Sequence, residues 1–159
     1  MLSQQELKSI INKTGAIVDG GVEPSKLLQY PQYADLVCGA LAWKLRHIKA
    51  DVVLGLLTGS VMAARDVARA LNLRVIYGEK RDNQVVLLPN FELKAGEKVL
   101  IIEDLINTGT TVKQAITMAK AHGGDVVGVG TIVDYQHGEY DFGVPTESLF
   151  TLEKKNFAA

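Results

Sequence analysis

Glu103 and Asp104 stand side by side directly after four aliphatic residues, Val99 to Ile102. Two residues further on comes the run Asn107-Thr108-Gly109-Thr110-Thr111. An aliphatic run without polar alternation suits a strand covered on both faces, as parallel strands of α/β proteins are. The acids then emerge at the carboxyl end of that strand, where open α/β sheets bind ligands. The bend after them offers a glycine, three threonine hydroxyls and the unpaired amides that open the next helix. Those amides and the helix dipole hold a phosphate dianion without a lysine. Two carboxylates ahead of such a cradle can accept hydrogen bonds from ribose hydroxyls or sit near a hydrated Mg²⁺. The segment reads as a phosphosugar site.

Gly55-Leu56-Leu57-Thr58-Gly59-Ser60 is a second glycine-containing strand-to-helix turn. Alone it reads as an ordinary connection, and beside the acidic strand it reads as a second anion loop. Glu79 to Gln84 is strongly polar and follows a strand, as an exposed hairpin, a lid or a plain solvated loop does. His47, His122 and His137 lack a ligand-like mutual spacing and read as ordinary surface or loop residues.

The elements that must position these groups are legible from periodicity. Ser3 with Glu6 caps a first helix reaching about Thr14, and Gly15, Gly20, Gly21 and Pro24 mark an irregular connection. From Tyr33 to His47, Leu36, Val37, Ala40, Leu41 and Leu45 recur at helical spacing, with Trp43 and Cys38 helping the helix to pack. Strands are expected at Val52–Leu54, Val75–Tyr77, Val85–Leu88, Val99–Ile102 and Val126–Val133. Helices are expected from the Gly55–Ser60 loop to about Leu71 and from Thr111 to Ala121. This alternation predicts a mainly parallel sheet with helices on both faces. The tail, Glu153 to Ala159, is charged and expected to fray.

The 159 residues, 47% of them hydrophobic, suffice for one domain with a sizeable core. A formal net charge of -1 argues against a broad basic nucleic-acid surface. Cys38 is the single cysteine, so no internal disulfide or cysteine zinc cluster forms, and a reducing cytoplasm fits. The first twelve residues show no long apolar segment for secretion or membrane spanning. A cytoplasmic protein with neither nucleic acid nor membrane as partner is expected.

The run from Val99 to Thr111 resembles the signature of type I phosphoribosyltransferases, which bind phosphoribosyl pyrophosphate (PRPP). The surrounding chain resembles the orotate phosphoribosyltransferase branch over nearly its whole length. The likeness includes Tyr30–Ala34, Asp51–Gly55, Val67–Leu71, Phe91–Lys98, Gly123–Val129 and Asp141–Pro145. The resemblance implies an α/β fold of the single-domain type I kind over residues 1–159. Its parts are a mainly parallel sheet flanked by helices and a small N-terminal hood. It implies Mg²⁺-dependent transfer of the phosphoribosyl group from PRPP to a nucleobase. In the nearest relatives orotate is the acceptor, giving orotidine 5′-phosphate and pyrophosphate in pyrimidine nucleotide biosynthesis.

Residue roles follow from the same resemblance. Asn107, Thr108, Gly109, Thr110 and Thr111 would hold the 5′-phosphate, and Thr58, Gly59 and Ser60 would hold pyrophosphate, in some members beside a non-proline cis peptide. The implied catalytic set is Glu103 and Asp104 on the ribose, with Lys80 and Arg81 brought to pyrophosphate by a mobile loop, often across a homodimer interface. Mg²⁺ would be carried mainly by PRPP and water, with no direct protein ligand.

The base-binding half departs from the orotate pattern. The connection Asp19 to Lys26 looks shortened, and Leu87-Leu88-Pro89-Asn90-Phe91 lacks the arginines that close bacterial relatives carry there. Asp134 is followed by Tyr135, where an arginine typically meets the orotate carboxylate, so Tyr135 is the candidate base contact. Three functions are therefore expected to compete. They are a phosphoribosyltransferase for orotate or another base, a non-catalytic PRPP or nucleotide sensor, and a phosphate-binding domain with a different ligand.

Overall fold

The aliphatic runs form the centre of a sheet, and the strand alternation decides which helices cover each face. The computed structural model describes residues 1–135 and 140–152. His137 and the tail from 153 onward lie outside the described residues. The order is α1 (Gln4–Lys13), β1 (Ile17–Val18), β2 (Gly21–Val22), α2 (Pro24–Leu28), α3 (Pro31–Leu45), β3 (Val52–Leu57) and α4 (Val61–Leu71). There follow β4 (Arg74–Arg81), β5 (Gln84–Leu87), β6 (Lys98–Ile106), α5 (Thr110–Ala121), β7 (Asp125–Asp134) and β8 (Thr146–Thr151). Among the described residues the main sheet runs β5-β4-β3-β6-β7-β8, with β5 alone antiparallel to its neighbour.

Successive side chains of a strand point to opposite faces. Val53, Leu100 and Ile102 therefore pack with α1 to α4, while Val52, Leu54, Val99 and Ile101 pack with α5. From β3 the chain crosses through α4 to β4 on one side, and from β6 it crosses through α5 to β7 on the other. The strand order thus reverses between β3 and β6. The crevice at the carboxyl ends of these two strands is the switch point at which doubly wound sheets take ligands.

The N-terminal hood is more ordered than its glycines suggest. Ser3 and Glu6 form the expected capping box, with the Ser3 N–H donating to Glu6 Oε2 at 2.8 Å. β1 and β2 make a small hairpin, and α2 starts on Pro24, whose missing N–H costs nothing at a first helical position. α2 packs against β6 and α3. Pro31 opens α3 in the same way, two residues before the periodicity begins.

Three expectations need correction. Leu36 and Trp43 face outward, each about half exposed, so the buried stripe of α3 is Ala34, Val37, Cys38, Leu41, Ala42 and Leu45. β6 continues four residues past its aliphatic run, because Glu103 to Ile106 keep pairing with β7. The acids therefore belong to the strand instead of following it. β8, a half-buried edge strand without an aliphatic run, gave no periodic signal. Two of its edge carbonyls are covered, Ser148 O by Lys44 Nζ at 2.6 Å and Leu149 O by Gln4 Nε2 at 2.8 Å. Cys38 is a core thiol as expected, and burial pushes its pKa up to about 12, leaving it unreactive.

Candidate active site

The β3–α4 loop is braced from inside. The Ser60 hydroxyl donates to Leu56 O at 2.7 Å and accepts from Leu56 N at 2.8 Å, and the side chain is fully buried. Its hydroxyl thereby braces the loop, while Thr58 and Gly59 are exposed at the tip. The Leu57–Thr58 peptide is cis.

This loop meets the acidic strand at Gly59. A methyl group built on Gly59 would lie 2.8 Å from Asp104 Oδ2 and 3.0 Å from Oδ1, so only glycine lets the carboxylate rest on the loop. Glu103 takes a different route. It is 9% exposed and, with Leu105, Ile106 and residues 107–112, lines a cavity of about 210 Å³. Asp104 thus rests on Gly59, while Glu103 lines the cavity at the bend and also reaches Ser60 of the β3–α4 loop.

Their electrostatics differ accordingly. Burial, followed by the charge of Asp104, pushes Glu103 up to about 8, although its hydrogen bond with Ser60 pulls the other way. Asp104 is also raised, mainly by burial, with the Glu23 carboxylate adding to the effect while its own and Leu105's backbone groups oppose it. Neither acid is in an ion pair among the described residues. Such hard oxygen donors fit a hydrated Mg²⁺ delivered with a phosphorylated substrate.

At the bend Gly109 is the N-cap of α5 with φ +75°, and it brings no capping side chain to the helix. Thr108 and Thr110 hold each other through their hydroxyls at 3.0 Å. The first-turn amides of a helix have no intrahelical partner, and here they open beside the cavity, with the Thr110 N–H loosely held by Thr108 Oγ1 at 3.4 Å. Tyr140 and Phe142, stacked at 4.7 Å between centroids, pack behind Gly109. Tyr140 donates its hydroxyl to buried Asp134 at the end of β7. An added Cβ would meet Phe142 at 3.2 Å and Tyr140 at 3.3 Å, and the positive φ disfavours any L side chain. Gly109→Ala is expected to cost about 1–3 kcal/mol of stability. Denaturant unfolding checks it, and an unchanged midpoint would deny the close contact.

The segment that carries Lys80 and Arg81 forms a tight hairpin, one of the forms its polar sequence allows. β4 and β5 are joined by Asp82 and Asn83 alone, both at positive φ, as the turns that match strand twist require. Gln114 Nε2 ties the tip to α5 by donating to Asn83 O at 2.6 Å. Since Leu57 pairs with Glu79, the hairpin runs on past Thr58 at the crevice edge. Arg81 is ion-paired with Glu79, and Lys80 makes no ion pair among the described residues.

Tyr135 sits at the far end of the crevice. Its hydroxyl accepts from Val22 N at 2.6 Å and donates to Val22 O at 2.9 Å, fastening the hood to the end of β7. The hydroxyl of this candidate base contact is thus engaged on the Val22 backbone.

A model of the phosphoribosyl transferase domain matches residues 24–157. The chain belongs to that family. It is 38% identical over 158 residues to the orotate phosphoribosyltransferase of Caldanaerobacter subterraneus subsp. tengcongensis, covering 96% of this chain and 83% of that protein. Among solved structures, Leishmania donovani UMP synthase superposes with a TM-score of 0.78 at 26% identity, over 92% of this chain and 36% of that longer one. Mycobacterium tuberculosis orotate phosphoribosyltransferase, solved with PRPP, gives 0.76 at 22% identity, covering 97% and 98%.

In this phosphoribosyl transferase domain the crevice joins an uncapped helix start, a glycine-tipped loop and two raised carboxyls. Such a set can grip two anionic groups while leaving acids between them. Reading the residues in order missed Glu23, Tyr140 and Phe142. Glu23 lay in the shortened connection, Phe142 lay in a segment noted only for its resemblance, and Tyr140 stands just before that segment.

Proposed function

We propose that this chain is a phosphoribosyltransferase that moves the 5-phosphoribosyl group of PRPP onto a ring nitrogen of a nucleobase. Orotate is the acceptor to which the relatives' names point. The observation that carries the reading is the meeting of Asp104 with Gly59 while Glu103 lines the cavity at the 107–112 bend. In this reading the amides of 108–111 hold the 5′-phosphate, Thr58 and Gly59 hold pyrophosphate, and Ser60 keeps their loop in shape. Glu103 and Asp104 orient the ribose hydroxyls, and the Asp104 carboxylate favours the positive charge that develops on the sugar. Lys80 is the hairpin cation for the leaving group.

The bond from the anomeric carbon to the pyrophosphate oxygen breaks, and pyrophosphate leaves with the electron pair. The base nitrogen forms the new bond from the opposite face and gives up its proton to solvent. Mg²⁺ bound to PRPP would offset the charge of the leaving group. Residues 1–159 act as one catalytic domain in the cytoplasm, assembled as a homodimer. No helix among the described residues is long and apolar enough to cross a membrane.

The test is release of pyrophosphate from PRPP and Mg²⁺ with orotate, uracil, cytosine, adenine, guanine or hypoxanthine. Nucleotide formation with one of them supports the reading. PRPP binding without turnover of any base would make the chain a sensor instead. Absence of PRPP binding would leave only a phosphate-binding domain.

A further inference from the structure

Between residues 107 and 111 only Gly109 is buried, whereas Asn107, Thr108 and Thr110 are exposed. The stacked rings lie against it, since an added Cβ would meet Phe142 at 3.2 Å and Tyr140 at 3.3 Å. Neither ring lines the cavity at the bend, whose walls among the described residues are Glu103 and residues 105–112. The pair therefore supports the bend from outside the cavity.

Tyr140 is itself anchored. Its ring stacks on Phe142 with centroids 4.7 Å apart, and its hydroxyl donates to Asp134 Oδ1. Burial, followed by Asp134, pushes the pKa of that hydroxyl upward, so it stays a donor. Asp134 is a fixed post, 5% exposed, paired with Ile106 on one side and Thr151 on the other, with its carbonyl accepting from Leu152 N at 2.8 Å. Ile106 is the residue directly before the bend. Asp134 thus holds the entry of the bend through the sheet and its middle through Tyr140.

The middle needs such support. Glycine takes either sign of φ about as readily, so an unsupported Gly109 would leave its φ of +75° for other conformations. Ordering the bend only when a phosphate arrives would subtract from affinity, whereas a bend already clamped binds without that loss. Resting on the phosphoribosyl-transfer reading, we propose that Tyr140 is a positioning residue. Anchored on Asp134 and stacked on Phe142, it holds Gly109 in the left-handed conformation that presents the 108–111 amides to the 5′-phosphate.

Calorimetric binding of ribose 5-phosphate, PRPP and pyrophosphate, each with Mg²⁺, to wild type, Tyr140→Phe and Tyr140→Leu tests this. Ribose 5-phosphate reports on the bend, and pyrophosphate reports on the β3–α4 loop. Tyr140→Phe keeps the ring but loses the anchor, and is expected to weaken ribose 5-phosphate by about 5-fold. Tyr140→Leu also loses the stack, and the weakening should reach about 30-fold. PRPP should follow ribose 5-phosphate, while the Kd for pyrophosphate stays within about 2-fold, a split that simple loss of stability would not give. If Tyr140→Leu does not fold, Tyr140→Phe carries the comparison alone. Unchanged ribose 5-phosphate affinity in a folded variant, or equal weakening of all three ligands, would overturn the proposal and leave the transfer reading standing. Wild type that fails to bind PRPP would remove the transfer reading itself.

Discussion

Glu103→Gln is expected to make the protein more stable at pH 8 while lowering its turnover. The native carboxyl has its pKa pushed up to about 8, from 4.5 in the unconstrained group, by burial and by Asp104 beside it. Below about pH 4.5 it is protonated in both folded and unfolded chains and makes no difference between them. As the pH rises toward 8, the unfolded chain gives up this proton first, so the folded state loses stability across that window. The loss is complete above about 8. Glutamine has the shape without the proton, so the variant's advantage grows from near zero at pH 4.5 to roughly 2–5 kcal/mol at pH 8 and above. Urea unfolding midpoints at several pH values measure it. Equal midpoints for the two proteins at every pH would mean that Glu103 is not held in a desolvated place. A gain in stability coupled to a loss of turnover is what a carboxyl kept for function gives.

Asp104→Asn carries the second large effect, a fall in kcat of about 10²–10³-fold with little change in folding. Asp104 is half-buried at the end of β6 and rests on Gly59, so its charge contributes little to the core. The asparagine fits the same space but cannot offer a full negative charge to a sugar that becomes cationic. Gly59→Ala tests the same contact from the other side, because the new methyl would force the carboxylate away from its position 2.8 Å off. Both variants should melt close to wild type and turn over poorly. Variants that unfold, or that keep full turnover, would make Asp104 a structural acid.

The part of the site proposed to bind sugar and phosphate was legible in the sequence because local order determines it. Val99 to Ile102 suit a buried strand, and strand, acids, bend and helix follow one another without interruption. The cost of such a reading is blindness to contacts between distant residues. Asp104 on Gly59, and Tyr135 on Val22, join positions far apart in the chain, and no spacing announces them. Ser60 shows the same limit. Its residue type suggests an anion contact, yet only the folded loop reveals a hydroxyl already engaged on Leu56.

Amphipathic reasoning also failed where a helix carries apolar residues on its outer face. Leu36 and Trp43 fit the period of α3 but are turned outward, since the buried stripe is set by small residues such as Ala34 and Ala42 that let the helix approach its neighbours. The polar run at Glu79 to Gln84 allowed a hairpin, a lid or a solvated loop, and the fold selects the hairpin, because Asp82 and Asn83 both take positive φ and close the chain in two steps.

A crystal structure with PRPP and Mg²⁺ bound tests the central claim most directly, namely that the bend after β6 grips the 5′-phosphate. The phosphate is expected within about 3 Å of the amides of residues 108–111, with the Glu103 and Asp104 carboxyls on the ribose side. A phosphate bound elsewhere, or a ribose turned away from these two acids, would contradict it.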